Sequence, residues 1–210
     1  MKKIKRPFRY VIVAFLVLCF LGTFRSYLVE GPSDAPSLFR NDLVIINKAA
    51  YDFSIPFTRY KIFRYSNPSR GDMVICRIPD YDNHNLFLKR IIGLPGDRIE
   101  LRNNNLLIND TILDRFLVDK QKMGLPDDGE MGELVAHEFG MGLDHLIAFN
   151  KYHSPYSCFG PLIVKPGHYF ILGDNRDNSI DSREFGLIPR ENVYGKYVLT
   201  LRNNHQAVKL

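Results

Sequence analysis

The chain has 210 residues, of which 45% are hydrophobic and 24% are charged. This balance is typical of a folded protein with a sizeable core and excludes an intrinsically disordered chain. The formal net charge is +5, and the first nine residues alone carry five cations and no acid. The remaining residues therefore balance to zero and lack the basic footprint by which proteins attract phosphate, so we expect no nucleic-acid partner.

A strongly apolar run follows the basic tail of residues 1–9. Tyr10 to Phe24 would extend only about 22 Å as a helix, short of the ~30 Å hydrocarbon core of a bilayer. Adding residues 25–29, with Arg25 snorkelling, gives about 20 residues. A cleaved signal peptide has a similar layout, but no small-x-small cleavage site is evident. The sequence predicts an uncleaved transmembrane signal-anchor over residues 10–29, a cytoplasmic N-terminus and an extracytoplasmic domain over 30–210.

The stretch GPSDAPSL, Gly31 to Leu38, comes directly after the apolar segment. It holds Ser33 between Pro32 and Pro36, which restrict the backbone. A serine hydroxyl becomes a nucleophile only with a base in hydrogen-bond reach and donors aimed at the oxyanion. The stretch is therefore a linker or a nucleophile loop, and the choice depends on a base elsewhere in the chain.

The body of the chain is predicted to be mostly β. Short runs of β-branched and aromatic residues alternate with turn signals, and no long amphipathic helix follows the apolar segment. This spacing indicates an antiparallel sheet or barrel-like domain, with residues 115–160 as a less regular insertion. The predicted strands are Leu43–Lys48, Asp72–Ile78, Leu86–Gly93, Asp97–Leu101, Leu106–Asp110, His168–Leu172 and Tyr194–Leu201, with a hairpin around Asn103–Asn105.

One part of the insertion, AHEFGMGLDH at 136–145, superficially resembles the zinc helix of a metalloprotease. That helix carries histidines at i and i+4, but the residue four after His137 is Met141. Gly140 and Gly142 also disfavour a helix. We therefore expect no metal site here, and a strand at His145–Phe149.

Two residue types are candidates for the base that would activate Ser33. The histidines lie in loops or in the tail, with no context that indicates a triad, although a triad is assembled in space. Lys89 lies in a predicted strand and shares its face with Phe87 and Ile91. Burial among them would favour the neutral amine, whereas a lysine snorkelling from an edge strand would have no such role. The histidines in question are His84, His153 and His205.

The stretch GDNRDNSIDSREFG, Gly173 to Gly186, is dense in charged and amide side chains. A calcium loop is one interpretation, because Asp174, Arg176 and Asn178 alternate. However, an arginine occupies a ligand position, and the twelfth position, Phe185, is not a glutamate. A rigid loop of internal ion pairs and Asx turns fits better.

The order of these motifs resembles that of the type I signal peptidase, or leader peptidase, family. The motifs span residues 33–186, most of the predicted extracytoplasmic domain. They are Ser33-x-x-Pro36 after an anchor, Arg70-Gly71-Asp72, the run KRIIGLPGD at 89–97, and GDNRDNSIDSR at 173–183.

The resemblance implies a serine–lysine endopeptidase with a β-rich catalytic domain. Such an enzyme removes signal peptides with Ala-x-Ala-like sites from exported preproteins at the outer face of the cell membrane. Its partners would be those signal peptides and the lipid bilayer, and neither a metal nor a cofactor is implied. By position, Ser33 matches the nucleophile and an oxyanion donor, Lys89 the base, Ser179 the serine that orients the lysine, Asp181 and Arg183 a bracing pair, and Arg90 and Asp174 the supporting residues.

Two positions depart from the family pattern. The residue after the nucleophile is often methionine, but here it is Asp34, which we expect to point away from Lys89 or to pair with an arginine. Many members carry a hydroxyl at the position of Gly31 as a second oxyanion donor, which this chain lacks. An inactive relative that binds exported segments, or a specialised protease that matures one dedicated partner, therefore remains an alternative.

The chain has three cysteines. Cys19 lies in the apolar run. Cys76 and Cys158 would both face the oxidising side of the membrane, where a disulfide and two free thiols are equally compatible with the sequence.

Overall fold

The structure is a computed structural model, and it describes residues 9–11, 13, 22–54, 60–78, 85–126, 129–151, 155–202 and 207–208. Residues 9–11, 13 and 22–23 are helical. The other described residues form short strands joined by tight turns, a short helix, α1 (Ser182–Phe185), and two 3₁₀ turns (Pro155–Ser157 and Arg190–Asn192). The strands are β1 (Phe24–Leu28), β2 (Leu43–Asn47), β3 (Asp52–Ser54), β4 (Lys61–Arg64), β5 (Met73–Cys76), β6 (Phe87–Gly93), β7 (Arg98–Arg102), β8 (Asn105–Ile108), β9 (Thr111–Ile112), β10 (Asp114–Val118), β11 (Leu134–Gly140), β12 (Leu143–Phe149), β13 (Phe159–Ile163), β14 (His168–Leu172), β15 (Ile188–Pro189), β16 (Val193–Leu201) and β17 (Ala207–Val208).

An antiparallel sheet of eight strands forms the centre of the fold. Its order is β1-β2-β16-β5-β6-β14-β15, and β17 pairs with β16. Strand β6 lies between β5 and β14, so Lys89 pairs with Val74 and Arg90 pairs with Met73 and Leu172. Because successive side chains of a strand alternate between faces, Lys89 and Arg90 point to opposite sides of this sheet.

Three smaller antiparallel sheets surround the central one. Strands β13-β7-β8-β9 form one sheet, β10-β11-β12 a second, and β3-β4 a third. The β7–β8 hairpin turns at Asn103 and Asn104, which both adopt positive φ (52° and 63°). Asparagine tolerates this left-handed conformation better than most residues, which explains the turn.

The core is divided by the central sheet. On one side, Ile92 packs with Ile99, Phe170 and Leu172. On the other, Ile91 packs with Val74, Cys76 and Ile171. Strand β6 is thus buried on both faces, which accounts for the apolar residues at the successive positions Ile91 and Ile92.

The predicted fold class, mostly β and antiparallel, is confirmed. Each of the seven predicted strands corresponds to an observed one within one or two residues at either end, namely β2, β5, β6, β7, β8, β14 and β16. The insertion at 115–160 is more regular than expected, because β10, β11 and β12 build a complete three-stranded sheet there. The zinc-like segment is a hairpin that turns at Met141 and Gly142, and the expected strand at 145–149 lies within β12.

The last residues of the predicted membrane segment form a strand in this structure. Residues 24–28 form β1 and pair with β2 over five positions, from Phe24 opposite Asn47 to Leu28 opposite Leu43. From the sequence, these residues are predicted to be the end of the anchor, with Arg25 snorkelling. Residues 12 and 14–21 lie outside the described residues, as do Cys19, His84, His153 and His205, and no helix within the described ranges is long and apolar enough to cross a membrane.

Cys76 and Cys158 are both free thiols in this structure. Cys76 is buried in β5, whereas Cys158 is exposed. Burial raises the pKa of the Cys76 thiol to about 12, so it remains protonated and packs as a small apolar residue.

Two isoleucines provide a matched test of this core. Ile92 is fully buried, whereas Ile163 on β13 is 66% exposed. We expect Ile92→Ala to lower the free energy of unfolding by about 2–5 kcal/mol, because it removes buried methyl groups and leaves a cavity. Ile163→Ala should change it by less than about 1 kcal/mol. Urea unfolding of the two variants checks the difference, and equal losses would contradict the assigned core.

Candidate active site

Ser33 lies in a tight turn between β1 and β2. Backbone hydrogen bonds from Ala35 N to Pro32 O (3.1 Å) and from Leu38 N to Asp34 O (2.9 Å) close the turn. Ala35 and Leu38 are buried and join this segment to the core. Ser33 is therefore held on a packed support and is not part of a loose linker.

Lys89 reaches Ser33 from the central sheet. Its side chain is 2% exposed, which excludes a lysine snorkelling from an edge strand. Its Nζ lies 2.6 Å from Ser33 Oγ, 2.8 Å from Leu88 O and 3.3 Å from Asp34 Oδ2. These three oxygens match the three donors of a lysine ammonium.

Asp34 faces both Ser33 and Lys89, so the expectation that it points away or pairs with an arginine is wrong. Its Oδ2 accepts a hydrogen bond from Ser33 Oγ at 2.9 Å. Its Oδ1 is buried, with no hydrogen-bond partner among the described residues. Burial raises the pKa of the Asp34 carboxyl, and this effect exceeds the opposing effect of Lys89.

Ser179 lies next to this cluster without the expected hydrogen bond to Lys89. Its Oγ is buried and has no hydrogen-bond partner in the described part of the chain. It lines the same cavity as Ser33 and Lys89, of about 290 Å³. Asp34 contributes the third oxygen around Lys89 Nζ, which explains why the lysine does not need Ser179 in this arrangement.

Gly173 brings two segments of the site into close contact. A methyl group at this position would lie 2.2 Å from Ser179 Oγ and 2.4 Å from the carbonyl oxygen of Ser33. Both distances are far below van der Waals contact. Only glycine therefore allows the loop after β14 to pack against the turn that carries Ser33.

Asp174 connects three distant parts of the chain at the site. Arg90 donates to its two carboxylate oxygens at 2.8 and 2.6 Å, and Ser37 Oγ donates to Oδ2 at 2.5 Å. Burial opposes ionisation of Asp174, but Arg90 outweighs it and lowers the pKa of this carboxyl to about 2. The next residue, Asn175, donates its backbone N–H to Ser33 O at 3.0 Å. The predicted supporting pair Arg90 and Asp174 thus lies directly behind the Ser33 turn.

Asp181 and Arg183 also meet. Arg183 donates to Asp181 from Nε (2.8 Å) and Nη2 (2.7 Å), and both side chains are buried. Asp181 accepts from Gly173 N at 3.1 Å and also caps helix α1. The pair therefore braces the loop between β14 and α1. It is an internal ion pair of the kind that the sequence analysis expected in this loop.

A second cavity of about 420 Å³ opens beside Ser33 and Lys89. Gly31 and Glu30 lie on its wall, and a side chain at position 31 would meet no atom within 4 Å. The apolar residues of its lining are Tyr27, Leu28, Val29, Val44, Ile75, Leu86, Phe87 and Leu88. Such a lining suits small apolar groups of a bound chain.

One buried cluster behind the site was missed by the sequence analysis. Arg176 forms a buried ion pair with Glu138 of β11, and His145 Nε2 lies 3.7 Å from Glu138 and 3.8 Å from Asp174. Burial lowers the pKa of His145 well below its usual value, so it is neutral. No local motif could indicate this cluster, because Glu138 and Arg176 are 38 positions apart.

The Asp174 carboxylate gives a testable dependence of stability on pH. Because its pKa is lower in the folded state, its stabilisation is present above about pH 4 and is lost as the pH falls through about 2. We expect Asp174→Asn to lower the free energy of unfolding by about 3–5 kcal/mol at pH 7, because Arg90 remains buried without its partner. The deficit should shrink as the pH falls below 4.

Unfolding between pH 7 and pH 3 measures this deficit. Asp110→Asn is the control, since Asp110 is exposed and pairs only at the surface with Arg98. A deficit at Asp174 that stays constant with pH, or one no larger than that of the control, would contradict the assignment.

The chain is similar to several known proteins. The family model described as signal peptidase, peptidase S26, matches residues 3–201. Signal peptidase I of Pseudomonas aeruginosa is 32% identical over 199 residues, which cover 87% of this chain and 68% of that protein. Signal peptidase I P of Bacillus subtilis subsp. natto is 33% identical over 186 residues, covering 88% of this chain and 80% of that protein.

A crystal structure of a signal peptidase I from Enterococcus faecalis V583 is 28% identical and covers 62% of this chain and 97% of that chain. Its TM-score is 0.38. The family model and the two relatives, which extend over most of the sequence, show that this chain belongs to the signal peptidase family, peptidase S26.

Proposed function

We propose that this chain is a serine endopeptidase that removes N-terminal signal peptides from exported preproteins, with Ser33 as nucleophile and Lys89 as general base. The observation that carries the proposal is the 2.6 Å distance between Ser33 Oγ and Lys89 Nζ. This is the distance at which a base takes a proton from a hydroxyl. Family membership and the names of the relatives support the substrate class.

The chemistry follows from the positions of these groups. Lys89 Nζ accepts the proton of Ser33 Oγ as the oxygen attacks the scissile carbonyl carbon, and the Ser33 backbone N–H donates to the oxyanion. The lysine then gives that proton to the leaving amine, and an acyl ester remains on Ser33. A water molecule, deprotonated by Lys89, hydrolyses the ester and frees the enzyme.

The apolar cavity beside Ser33 suits the small side chains before an Ala-x-Ala-like cleavage site. Ser33 and Lys89 belong to its lining, so a segment bound there would have its carbonyl within reach of Ser33. In the same proposal, the apolar run that begins at Tyr10 anchors the protein in the cell membrane, with its N-terminus in the cytoplasm. Strand β1 starts only at Phe24, so the site would lie near the outer membrane surface.

Asp34 favours a second candidate function. A carboxylate 3.3 Å from Lys89 Nζ stabilises an ammonium, which cannot act as a base. The chain would then bind exported segments without cutting them, or cut only one dedicated partner. Cleavage tested across a panel of unrelated preproteins separates a general enzyme from a dedicated one, and activity that arises only in Asp34→Met would identify the binding protein.

Substitution of the two central residues tests the proposal. We expect Ser33→Ala and Lys89→Ala each to abolish cleavage of an Ala-x-Ala peptide by the detergent-solubilised full chain, because one removes the nucleophile and the other the base. Lys61→Ala is the control, since Lys61 is part-exposed and lies in β4 outside the site. Cleavage retained in either site variant would refute the mechanism.

Gly31 provides a gain-of-function test. A hydroxyl at this position would supply the second oxyanion donor, and there is space for it. We expect Gly31→Ser to raise kcat, since one such donor contributes up to ~10²–10³ in rate. The matched variant Gly31→Ala adds the same Cβ without the hydroxyl and should not raise kcat. An equal effect of the two variants would argue against an oxyanion site there.

A further inference from the structure

Ser33, Asp34 and Lys89 form a closed set of contacts, of which the two-residue mechanism uses only the one between Ser33 and Lys89. Ser33 Oγ lies 2.6 Å from Lys89 Nζ and 2.9 Å from Asp34 Oδ2, and Asp34 Oδ2 lies 3.3 Å from Lys89 Nζ. The serine hydroxyl is thus in contact with both ionisable groups, and it has the shorter distance to each. A path for a proton between lysine and aspartate therefore runs through the nucleophile.

Resting on the proposed function, we infer that Asp34 is a third catalytic residue, which accepts the Lys89 proton through the Ser33 hydroxyl and thereby generates the neutral base inside the site. In this step a proton leaves Lys89 Nζ and bonds to Ser33 Oγ, while the original hydroxyl proton leaves Oγ and bonds to Asp34 Oδ2. The number of protons and the net charge of the site are unchanged.

This relay reverses the direction of the two hydrogen bonds that the Ser33 hydroxyl makes with Lys89 and Asp34. Before it, Lys89 donates to Ser33 Oγ and Ser33 donates to Asp34. After it, Asp34 Oδ2–H donates to Ser33 Oγ, and Ser33 O–H points to the lone pair of Lys89 Nζ, while a lysine N–H still donates to Leu88 O. That is the arrangement a general base needs, and no proton has to cross to solvent.

The surroundings of Asp34 favour its protonated form. Its side chain is 4% exposed, and Oδ1 has no hydrogen-bond partner among the described residues, which is costly for a buried carboxylate. The charged or titratable groups that act on it are Lys89 and Arg90 of β6, Asp174 after β14 and Cys76 of β5. The positive charge of Arg90 is already compensated by Asp174, to which it donates two hydrogen bonds. Arg90 is therefore not a direct partner of an Asp34 anion.

The ionised alternative makes the opposite prediction. If Asp34 were a fixed anion, it would hold Lys89 as an ammonium and move the acid limb of the activity profile to higher pH. Removing the carboxylate would then extend activity toward acid. If Asp34 accepts the proton, removing it forces Lys89 to lose its proton to solvent, and activity at acid pH is lost.

The test compares the full-length protein with Asp34→Asn, which keeps the shape and can accept from Ser33 but cannot take a proton. We expect the acid limb of kcat/KM for an Ala-x-Ala peptide to move to higher pH by about one unit or more. Below the limb, kcat/KM of the variant should be roughly tenfold lower than that of the parent, and at alkaline pH the two values should be equal. Asp110→Asn, at the exposed surface, should leave the profile unchanged. An acid limb that stays in place or moves to lower pH overturns the relay.

A second measurement does not depend on activity. The infrared difference spectrum between the parent and Asp34→Asn at neutral pH should contain the C=O band of one protonated carboxyl group, shifted in D₂O. Its absence overturns the relay, even if the enzyme is active. If Asp34→Asn does not fold, Asp34→Met takes its place in both measurements. A parent chain that cleaves no peptide at any pH refutes the proposed function, and the infrared band then still decides the position of the proton.

Discussion

The bidentate pairing of Arg90 with Asp174 is the interaction on which the site depends most. Arg90 belongs to the central strand β6, Asp174 begins the loop after β14, and Ser37, which also donates to Asp174, follows the nucleophile turn. One buried carboxylate thus joins three segments that are 53 to 137 positions apart in sequence. Because the next residue, Asn175, binds the Ser33 carbonyl, the position of Ser33 relative to Lys89 follows from this pairing.

Strand β6 carries one basic residue on each face, and the two residues have different partners. Arg90 is fully paired on one face, and its charge is compensated by Asp174. Lys89, on the other face, is buried, and the hydrogen-bond partners of its amine among the described residues are Asp34 and two neutral oxygens. A buried pair that holds one proton between two sites has two forms of equal net charge, and a nearby hydroxyl can convert one into the other. The residue at position 34 therefore determines whether Lys89 holds the proton.

Much of the fold was predictable because its strands are short, apolar and separated by clear turn signals. The meeting of Ser33 and Lys89 was predictable only from the order of the family motifs, because no local pattern links a turn to a strand 56 positions later. Strand β1 was missed, since its residues were counted as the end of the predicted anchor, with Arg25 snorkelling. The direction of Asp34, and the lack of a hydrogen-bond partner for Ser179 Oγ within the described ranges, depend on side-chain packing around Lys89 Nζ, which sequence does not encode locally. The same holds for the Glu138–Arg176 pair.

The most direct test of the account is to trap the covalent intermediate. The full-length protein is mixed with an Ala-x-Ala peptide ester, quenched in acid during turnover, digested and examined by mass spectrometry. The account predicts an acyl group on Ser33, at the turn held by Asp174 and Asn175, and none when Lys89 is replaced by alanine. An acyl group on another residue, or turnover with no acyl group at Ser33, would contradict the assignment of the nucleophile.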